Sequence, residues 1–343
     1  IALIAGFTSF FAATMGLVSS DIKRVVAYST ISQLALMLAA LGMASELGLF
    51  SGTFHLLSHS IFKALLFLAA GAVIHAVHTN NLDEMGGLRA KMPITFWTSA
   101  VGVLSLSGVP LFSGFWSKDL VIESTLQAGN LVVYLLITGA SILTVAYSLR
   151  WLYKVFLAPP TEHTEHAHEA PPVMTIPLII LAAASVAIGV SGPMFEEQLH
   201  HYMGLHGKVS TSLTTYATSA AILAVGGGLG YIFYLGGVRR PEDVRSGPLG
   251  GMVHRILENR YYVDAFYYRV FVAGLEKAGA ALLKFVELRV IDGFNYALSK
   301  ATVAFVQLFR NIQTGESNVN ISGLIIGMVL LIIILLRFFF GLT

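Results

Sequence analysis

The stretch "FHLLSHSIFKALLFL" (residues 54–68) is apolar enough to lie in lipid, yet it contains His55, His59 and Lys63. These three residues, the polar row, are spaced four apart, so on an α-helix each lies about 40° round from the last and all three share one face. Ionisable groups inside a membrane are costly and mark ion or proton paths. The stretch therefore predicts a transmembrane helix with one polar face.

The composition of the whole chain is that of a polytopic membrane protein. Of its 343 residues, 55% are hydrophobic and 12% are charged, against about 25% charged residues in soluble domains. The absence of cysteine excludes disulfides, cysteine-ligated iron-sulfur clusters and thiol catalysis within these residues. A net charge of +2 without a basic run gives no support for a nucleic-acid partner. The chain opens directly on the apolar run "IALIAGFTSFFAATMGLV" without an initiator methionine, so we expect it to be incomplete at its N-terminus.

Apolar runs long enough to cross roughly 30 Å of hydrocarbon predict about eight transmembrane helices. The spans lie near 1–19, 29–45, 48–77, 93–124, 131–157, 173–192, 212–236 and 321–341. Basic residues follow the odd-numbered spans: Lys23, Arg24, Arg89, Lys91, Arg150, Lys154, Arg239, Arg240 and Arg245. The exceptions are Lys208 and Arg337. By the positive-inside rule, the odd-numbered spans end in the cytoplasm or an equivalent compartment.

The fourth span is interrupted in "LSGVPLFSGFWSKDLVIE" (residues 106–123). The residues that break its helical ladder are Gly108, Pro110 and Gly114. Broken helices at membrane depth mark ion sites in transporters, whereas the alternative is a proline kink in a packed helix. Lys118 and Asp119 follow, about 100° apart on a helix, so Lys118 can face a cavity while Asp119 or Glu123 meets another partner. Alternatively, both lie at the outer end of the span and Lys118 reaches the surface.

The polar row has the chemistry of a proton wire. Burial disfavours the charged form of lysine, so a lysine at the bilayer centre can gain and lose a proton. Histidine relays protons through its two ring nitrogens. The alternative is a structural ladder of hydrogen bonds between helices. Lys23 could line a proton entrance, although topological anchoring also explains it. The histidine-containing loop "TEHTEHAHE" (residues 161–169) matches no metal motif, and we interpret it as a solvated linker.

Residues 261–318 predict a long amphipathic helix that lies along the membrane. Apolar residues recur there at three-or-four spacing while charges interrupt any lipid-spanning run. Some 57 residues would reach roughly 85 Å if the helix is unbroken. Gly293 is the expected point of a break. Such a helix needs lipid headgroups or the flank of neighbouring proteins as a partner.

Four motifs together resemble the antiporter-like proton-translocating subunits of respiratory complex I. They are "SSDIKRVVAYSTISQLALMLAALG", "FHLLSHSIFKALLFLAAGAVIH", "MGGLRAKMP" and "LSGVPLFSGFWSKDLVIE". Within that family the chain is most similar to the distal subunit, called subunit L in bacterial NADH-quinone oxidoreductase and subunit 5 in mitochondria. The motif "RYYVDAFYYRVFV" (residues 260–272), which opens the lateral helix, fits this subunit.

The resemblance implies a fold and a set of site residues. Residues 1–157 would form the second of two inverted five-helix repeats, each a half-channel for protons, and the first repeat is absent from this chain. Residues 158–240 would add two transmembrane helices, 241–320 the lateral amphipathic helix and 321–343 a C-terminal anchor. Lys63 resembles the lysine of the second half-channel, and His55 and His59 lead to it. Lys118 resembles the lysine on the broken helix that opens outward, and Asp119 its acidic neighbour.

The leading functional hypothesis is a distal proton-pump subunit, driven by quinone reduction in other subunits. It implies no cofactor or metal in this chain, with NADH, flavin, iron-sulfur clusters and quinone in partner subunits. The implied partners are other membrane subunits, especially antiporter-like neighbours along the lateral helix, together with lipids and protons. We expect the inner membrane of a bacterial or archaeal cell. The alternatives are a cation/proton antiporter component, a hydrogenase- or ferredoxin-linked complex, or a structural clamp.

Overall fold

Helices are the regular elements of the computed structural model, which describes residues 1–205, 211–312 and 315–340. Within these residues, the single β contact is a bridge between Asp21 and Asn81. The predicted class, an all-α polytopic membrane protein, is confirmed. The chain divides into two compact units, Ile1–Tyr261 and Tyr262–Thr343.

The first unit contains the helices of the first seven predicted spans. They are α1 (Ala2–Val18), α2 (Ile22–Leu41), α3 (Glu46–Val77), α4 (Pro93–Ser107), α5 (Ser113–Gln127), α6 (Leu131–Leu152), α7 (Pro172–Val190) and, after the short α8 (Gly192–Tyr202), α9 (Leu213–Gly230). Turns of π-helix extend α6 to Leu157 and α9 to Leu235. The unit ends with α10 (Pro241–Ser246) and α11 (Pro248–Glu258).

The second unit is helical without interruption from Val263 to Ile312. Its segments are α12 (Val263–Tyr267), a π-helical stretch Tyr268–Val272, α13 (Ala273–Leu282), a second π-helical stretch Leu283–Ile291 and α14 (Asp292–Ile312). About 50 residues at 1.5 Å each give a length of roughly 75 Å. The expected break at Gly293 is wrong, because this glycine lies inside α14, and an isolated glycine costs a helix only about 1 kcal/mol. The last helix is α15 (Ser317–Phe340).

Six of the described helices are long and apolar enough to cross a membrane: α2, α3, α6, α7, α9 and α15. The two further predicted spans take other forms. The first is α1, a shorter apolar helix of 17 residues. The other is the pair α4 and α5, which together occupy the fourth predicted span.

The second span begins earlier than predicted, at Ile22 instead of near residue 29, and ends at Leu41. Asp21 caps it, because its carboxylate accepts hydrogen bonds from the backbone N–H groups of Lys23 and Arg24 at 2.8 and 2.9 Å. These bonds satisfy donors that the first turn of a helix leaves free. Hydropathy marked only the apolar part, since the charged first turn interrupts the run.

The interruption of the fourth span is present as predicted. Gly108 ends α4 in the left-handed conformation, with φ of 77°. Leu111, at φ 75°, holds a conformation that is strained for a residue with a side chain. Gly114 crosses α4 so closely that a Cβ there would overlap the Ser105 carbonyl oxygen. The break is therefore a defined turn that separates two helices, α4 and α5, and not a simple proline kink.

The connections that follow α1, α3 and α6 meet at one end of the first unit. The backbone N–H of Leu82 donates to the Ser20 carbonyl at 2.7 Å, and that of Arg89 to the Phe156 carbonyl at 3.2 Å. Lys154 pairs with Asp83. Most of the basic residues that define the odd-numbered connections thus share one end, as the positive-inside rule requires. Lys208, the exception before the last span, lies outside the described residues.

Small side chains bring α1 and α2 close together. Ala12, Ala13, Ala39 and Ala40 are fully buried. The Ser32 hydroxyl crosses between the helices and donates to the Ser9 carbonyl at 2.9 Å. Close packing of small residues with hydrogen bonds across the contact is how helices associate in lipid, where no hydrophobic force draws them together. This packing fixes the position of α2 beside the polar row.

Candidate functional site

The polar row lies buried on α3. His55, His59 and Lys63 are 1%, 5% and 4% exposed, whereas Leu56 and Leu57 of the same helix are 49% and 40% exposed. The helix therefore turns its polar face into the protein and its apolar face outward. This is the arrangement that the spacing of four predicts.

Lys63 is held by neutral oxygens of α2. Its Nζ donates to the Val26 carbonyl at 3.1 Å and to the Ser29 hydroxyl. Among the described residues no carboxylate forms an ion pair with Lys63. A positive charge on Lys63 is thus solvated by dipoles alone, which suits a group that gains and loses a proton.

His55 joins α3 to both neighbouring helices. Its Nδ1 lies 2.9 Å from the Ser117 hydroxyl on α5, and its Nε2 lies 3.0 Å from Oε1 of Gln33 on α2. The His55 and His59 rings have their centroids 6.2 Å apart. His59 Nε2 is buried without a hydrogen-bond partner among the described residues. The hydrogen bond to Ser117 thus connects the polar row to α5, the helix that contains Lys118.

Lys118 lies at the break of the fourth span. Its side chain is 2% exposed, and its Nζ is 3.5 Å from the Leu106 carbonyl, to which it donates. Leu106 is in the last turn of α4, where carbonyl groups lack helical partners and the helix dipole favours a cation. The broken helix therefore supplies the acceptor that holds this buried lysine.

Asp119 and Glu123 bind α9 and not Lys118, which agrees with the 100° separation expected on a helix. Asp119 Oδ1 accepts from the Ser219 hydroxyl at 2.6 Å, while Oδ2 is buried without a partner among the described residues. Glu123 accepts from the Ser212 N–H at 2.9 Å and from the Thr215 hydroxyl at 2.6 Å. These bonds connect α5 to the N-terminal half of α9.

Sequence reasoning missed four polar side chains at this site: Ser117, Thr144, Tyr147 and Ser219. Ser117 lies on the broken helix α5. The other three lie in apolar helices, where an isolated polar side chain is common and gives no signal by itself. Thr144 and Tyr147 follow each other at a spacing of three on α6, a weak sign of a shared polar face. Gln33 belongs to a run of polar residues in the second span, residues 28–33, which could hold water between such sites. In the structure it is a direct partner of His55.

Lys23 lies outside the buried cluster, exposed in the first turn of α2. Its role at a proton entrance stays a prediction. Within the described ranges, no three His, Cys, Asp or Glu side chains lie together as a metal site would require. The chemistry that the site offers is proton exchange among lysine, histidine and carboxylate groups.

Comparison with known proteins gives a consistent set of similarities. The family described as "NADH:quinone oxidoreductase/Mrp antiporter, TM" matches residues 1–144. The F(420)H(2) dehydrogenase subunit L of Methanosarcina mazei is 35% identical over 370 residues, which cover 97% of this chain and 54% of that protein. NADH-quinone oxidoreductase subunit L of Rickettsia felis is 33% identical over 339 residues, covering 92% of this chain and 52% of that protein.

A solved structure extends the similarity to the fold. The structure of the membrane-bound sulfane sulfur reductase, an archaeal respiratory membrane complex, contains a chain that is 25% identical with a TM-score of 0.58. The match covers 97% of this chain and 55% of that one. The chain spans about half the length of the curated relatives that it matches.

Proposed function

We propose that this chain, which belongs to the antiporter-like membrane subunits of NADH:quinone oxidoreductases and Mrp antiporters, translocates protons as the distal pump subunit of an NADH-quinone oxidoreductase (complex I). In this role it is a non-redox subunit of the translocating enzyme. NADH, flavin, iron-sulfur clusters and quinone belong to partner subunits. One observation carries the proposal: the buried polar row connects through Ser117 to the helix of Lys118.

Charge repulsion is the proposed source of directed movement. Two unit charges about 6 Å apart at an effective dielectric of about 20 interact by roughly 3 kcal/mol. A proton that arrives next to Lys63 therefore displaces the proton already there toward His59 and His55. A positive charge at His55 in turn favours release from Lys118 toward the outer side. Lys23, on the basic end, is the proposed entrance.

The long helix Val263–Ile312 supports an assembly with neighbouring membrane subunits. Between residues 263 and 310 its side chains are exposed, with the exception of the partly buried Val272, Ala273 and Asp292. Apolar surface of this extent marks a contact with lipid or protein. We place adjacent antiporter-like subunits along this helix, and the complex in the inner membrane of a bacterial or archaeal cell.

A cation/proton antiporter component is the second candidate. The matching family includes Mrp antiporters, and the match lies in residues 1–144, which contain the polar row and Lys118. The helix Val263–Ile312 favours the respiratory assembly, because an antiporter unit has no evident need for it. A complex with another electron donor, such as a hydrogenase- or ferredoxin-linked one, remains an alternative, since the donor binds elsewhere.

The driving force separates these functions. The complete complex, reconstituted in sealed vesicles, would be supplied either with its electron donor and quinone or with an imposed sodium gradient. A respiratory pump acidifies the lumen during electron transfer and gives no response to sodium. Proton movement driven by the sodium gradient alone would establish the antiporter. In the pump, Lys63→Ala should lower acidification at an unchanged level of assembled complex.

A further inference from the structure

Gln33 bridges His55 and Thr144 in the interior of the first unit. Its Oε1 lies 3.0 Å from His55 Nε2, and its Nε2 lies 3.5 Å from the Thr144 hydroxyl. Gln33 and Thr144 are 0% exposed and His55 is 1% exposed. A glutamine amide has an acceptor end and a donor end, so its orientation decides which ring nitrogen of the histidine can bear a proton.

Thr144 sets the orientation of that amide. Its hydroxyl donates to the Ala140 carbonyl at 2.8 Å. Because a hydroxyl has one proton, Thr144 can only accept from other groups. The Tyr147 hydroxyl donates to it at 3.3 Å. Gln33 must therefore direct its NH₂ group at Thr144 and its carbonyl oxygen at His55.

The amide oxygen requires a proton on His55 Nε2. A neutral imidazole has one proton, so its Nδ1 is then the free acceptor. Nδ1 lies 2.9 Å from the Ser117 hydroxyl, which also lies 3.3 Å from the Ser113 carbonyl. When Nδ1 gains a proton, the Ser117 hydroxyl can turn to the Ser113 carbonyl and accept from the ring. Uptake and release thus both occur at Nδ1.

We propose that Gln33 is a positioning residue that keeps the His55 proton on Nε2, so that His55 stores and returns a proton at Nδ1, on the side of α5, instead of relaying it through the ring. The assignment rests on the proposed function, because proton exchange matters only if protons cross here. The ionisable groups that act on His55 are His59 on α3 and Lys118 on α5. The neighbours from α2 and α6, Gln33 and Thr144, are neutral.

The test is the rate of proton pumping against pH in the assembled complex. Gln33→Leu removes the acceptor, and Thr144→Val removes the hydroxyl that orients the amide without a large change of volume. Both variants should slow pumping by roughly tenfold and move the pH profile in the same direction, since a positioned proton-transfer group contributes at least this much. Thr144→Ser, which restores the hydroxyl, should recover the wild-type rate and profile.

Ser141→Ala is the matched control. It removes a buried hydroxyl of α6 that has no hydrogen-bond partner among the described residues, and it should leave pumping unchanged. A wild-type rate and profile in Gln33→Leu would overturn the inference, as would a Thr144→Ser variant as slow as Thr144→Val. Lys63→Ala in the same vesicles distinguishes a failure of the proposed function from a failure of the role assigned to Gln33. Normal pumping there would refute the proposed function, whereas loss there with normal Gln33→Leu would refute only the role of Gln33.

Discussion

At the scale of residues, two ionisable side chains have a buried polar atom without a hydrogen-bond partner among the described residues: His59 at Nε2 and Asp119 at Oδ2. An unsatisfied buried polar group costs about 1–3 kcal/mol, so folded proteins contain few of them. Both atoms belong to the predicted site. A free lone pair at these positions is what a group that receives a proton needs.

Asp119→Asn tests whether the carboxylate takes part in proton release. Asparagine keeps an oxygen for the Ser219 hydroxyl but cannot exchange a proton, so assembly should persist while pumping falls several-fold or more. Acidification of vesicles by the assembled complex measures this. Ser99→Ala, which removes a buried hydroxyl without a partner among the described residues, is the control. Normal pumping in Asp119→Asn would mean that Asp119 serves only to link α5 to α9.

The sequence predicted which candidate residues share a buried helix face better than it predicted their hydrogen-bond partners. The spacing of four put His55, His59 and Lys63 on one helix face without knowledge of the fold. The bond between Asp119 and Ser219 joins residues 100 positions apart, and that between His55 and Ser117 joins residues 62 apart. No local periodicity encodes such pairs, because they depend on how the helices pack.

At the scale of elements, the crossing of α4 and α5 positions Lys118. Gly114 is the contact, since a side chain there would overlap the Ser105 carbonyl oxygen. The sequence predicted this break from Gly108, Pro110 and Gly114. It did not predict the early start of α2, because a charged first turn capped by Asp21 has no apolar signature.

Gly114→Ala should separate α4 from α5 and destabilise the chain by about 1–3 kcal/mol, the usual cost of overpacking. The Leu106 carbonyl would move away from Lys118, so pumping should fall as well. Thermal unfolding of the complex and vesicle acidification measure the two effects. Gly71→Ala is the matched control: nothing lies within 4 Å of a Cβ at Gly71, and alanine should stabilise the helix by up to about 1 kcal/mol. Equal stability of the two variants would contradict the close crossing.

At the scale of the whole molecule, the second unit consists of long helices with exposed apolar side chains. Phe266, Leu275, Phe294 and Leu308 are 62%, 73%, 66% and 62% exposed. The sequence predicted the length and the amphipathic spacing of this segment. What covers this segment stays a prediction.

Kinking the long helix should weaken the complex. Gly293→Pro removes a backbone hydrogen bond and costs a helix interior about 3 kcal/mol or more. We expect less of the chain to co-purify with its neighbouring membrane subunits. Gly293→Ala, where a Cβ meets nothing within 4 Å, should preserve assembly. If both variants assembled and pumped equally, a straight helix would not be required for the contact with neighbouring subunits.

The most direct measurement of the central claim is the number of protons translocated for each electron pair by the assembled complex in sealed vesicles. Wild type, Lys63→Ala and Lys118→Ala would be compared at matched rates of quinone reduction. We predict a lower proton-to-electron ratio in both variants, because each removes one of the two buried lysines that the proton path requires. An unchanged ratio in both would contradict the claim and make the polar row a structural ladder between helices.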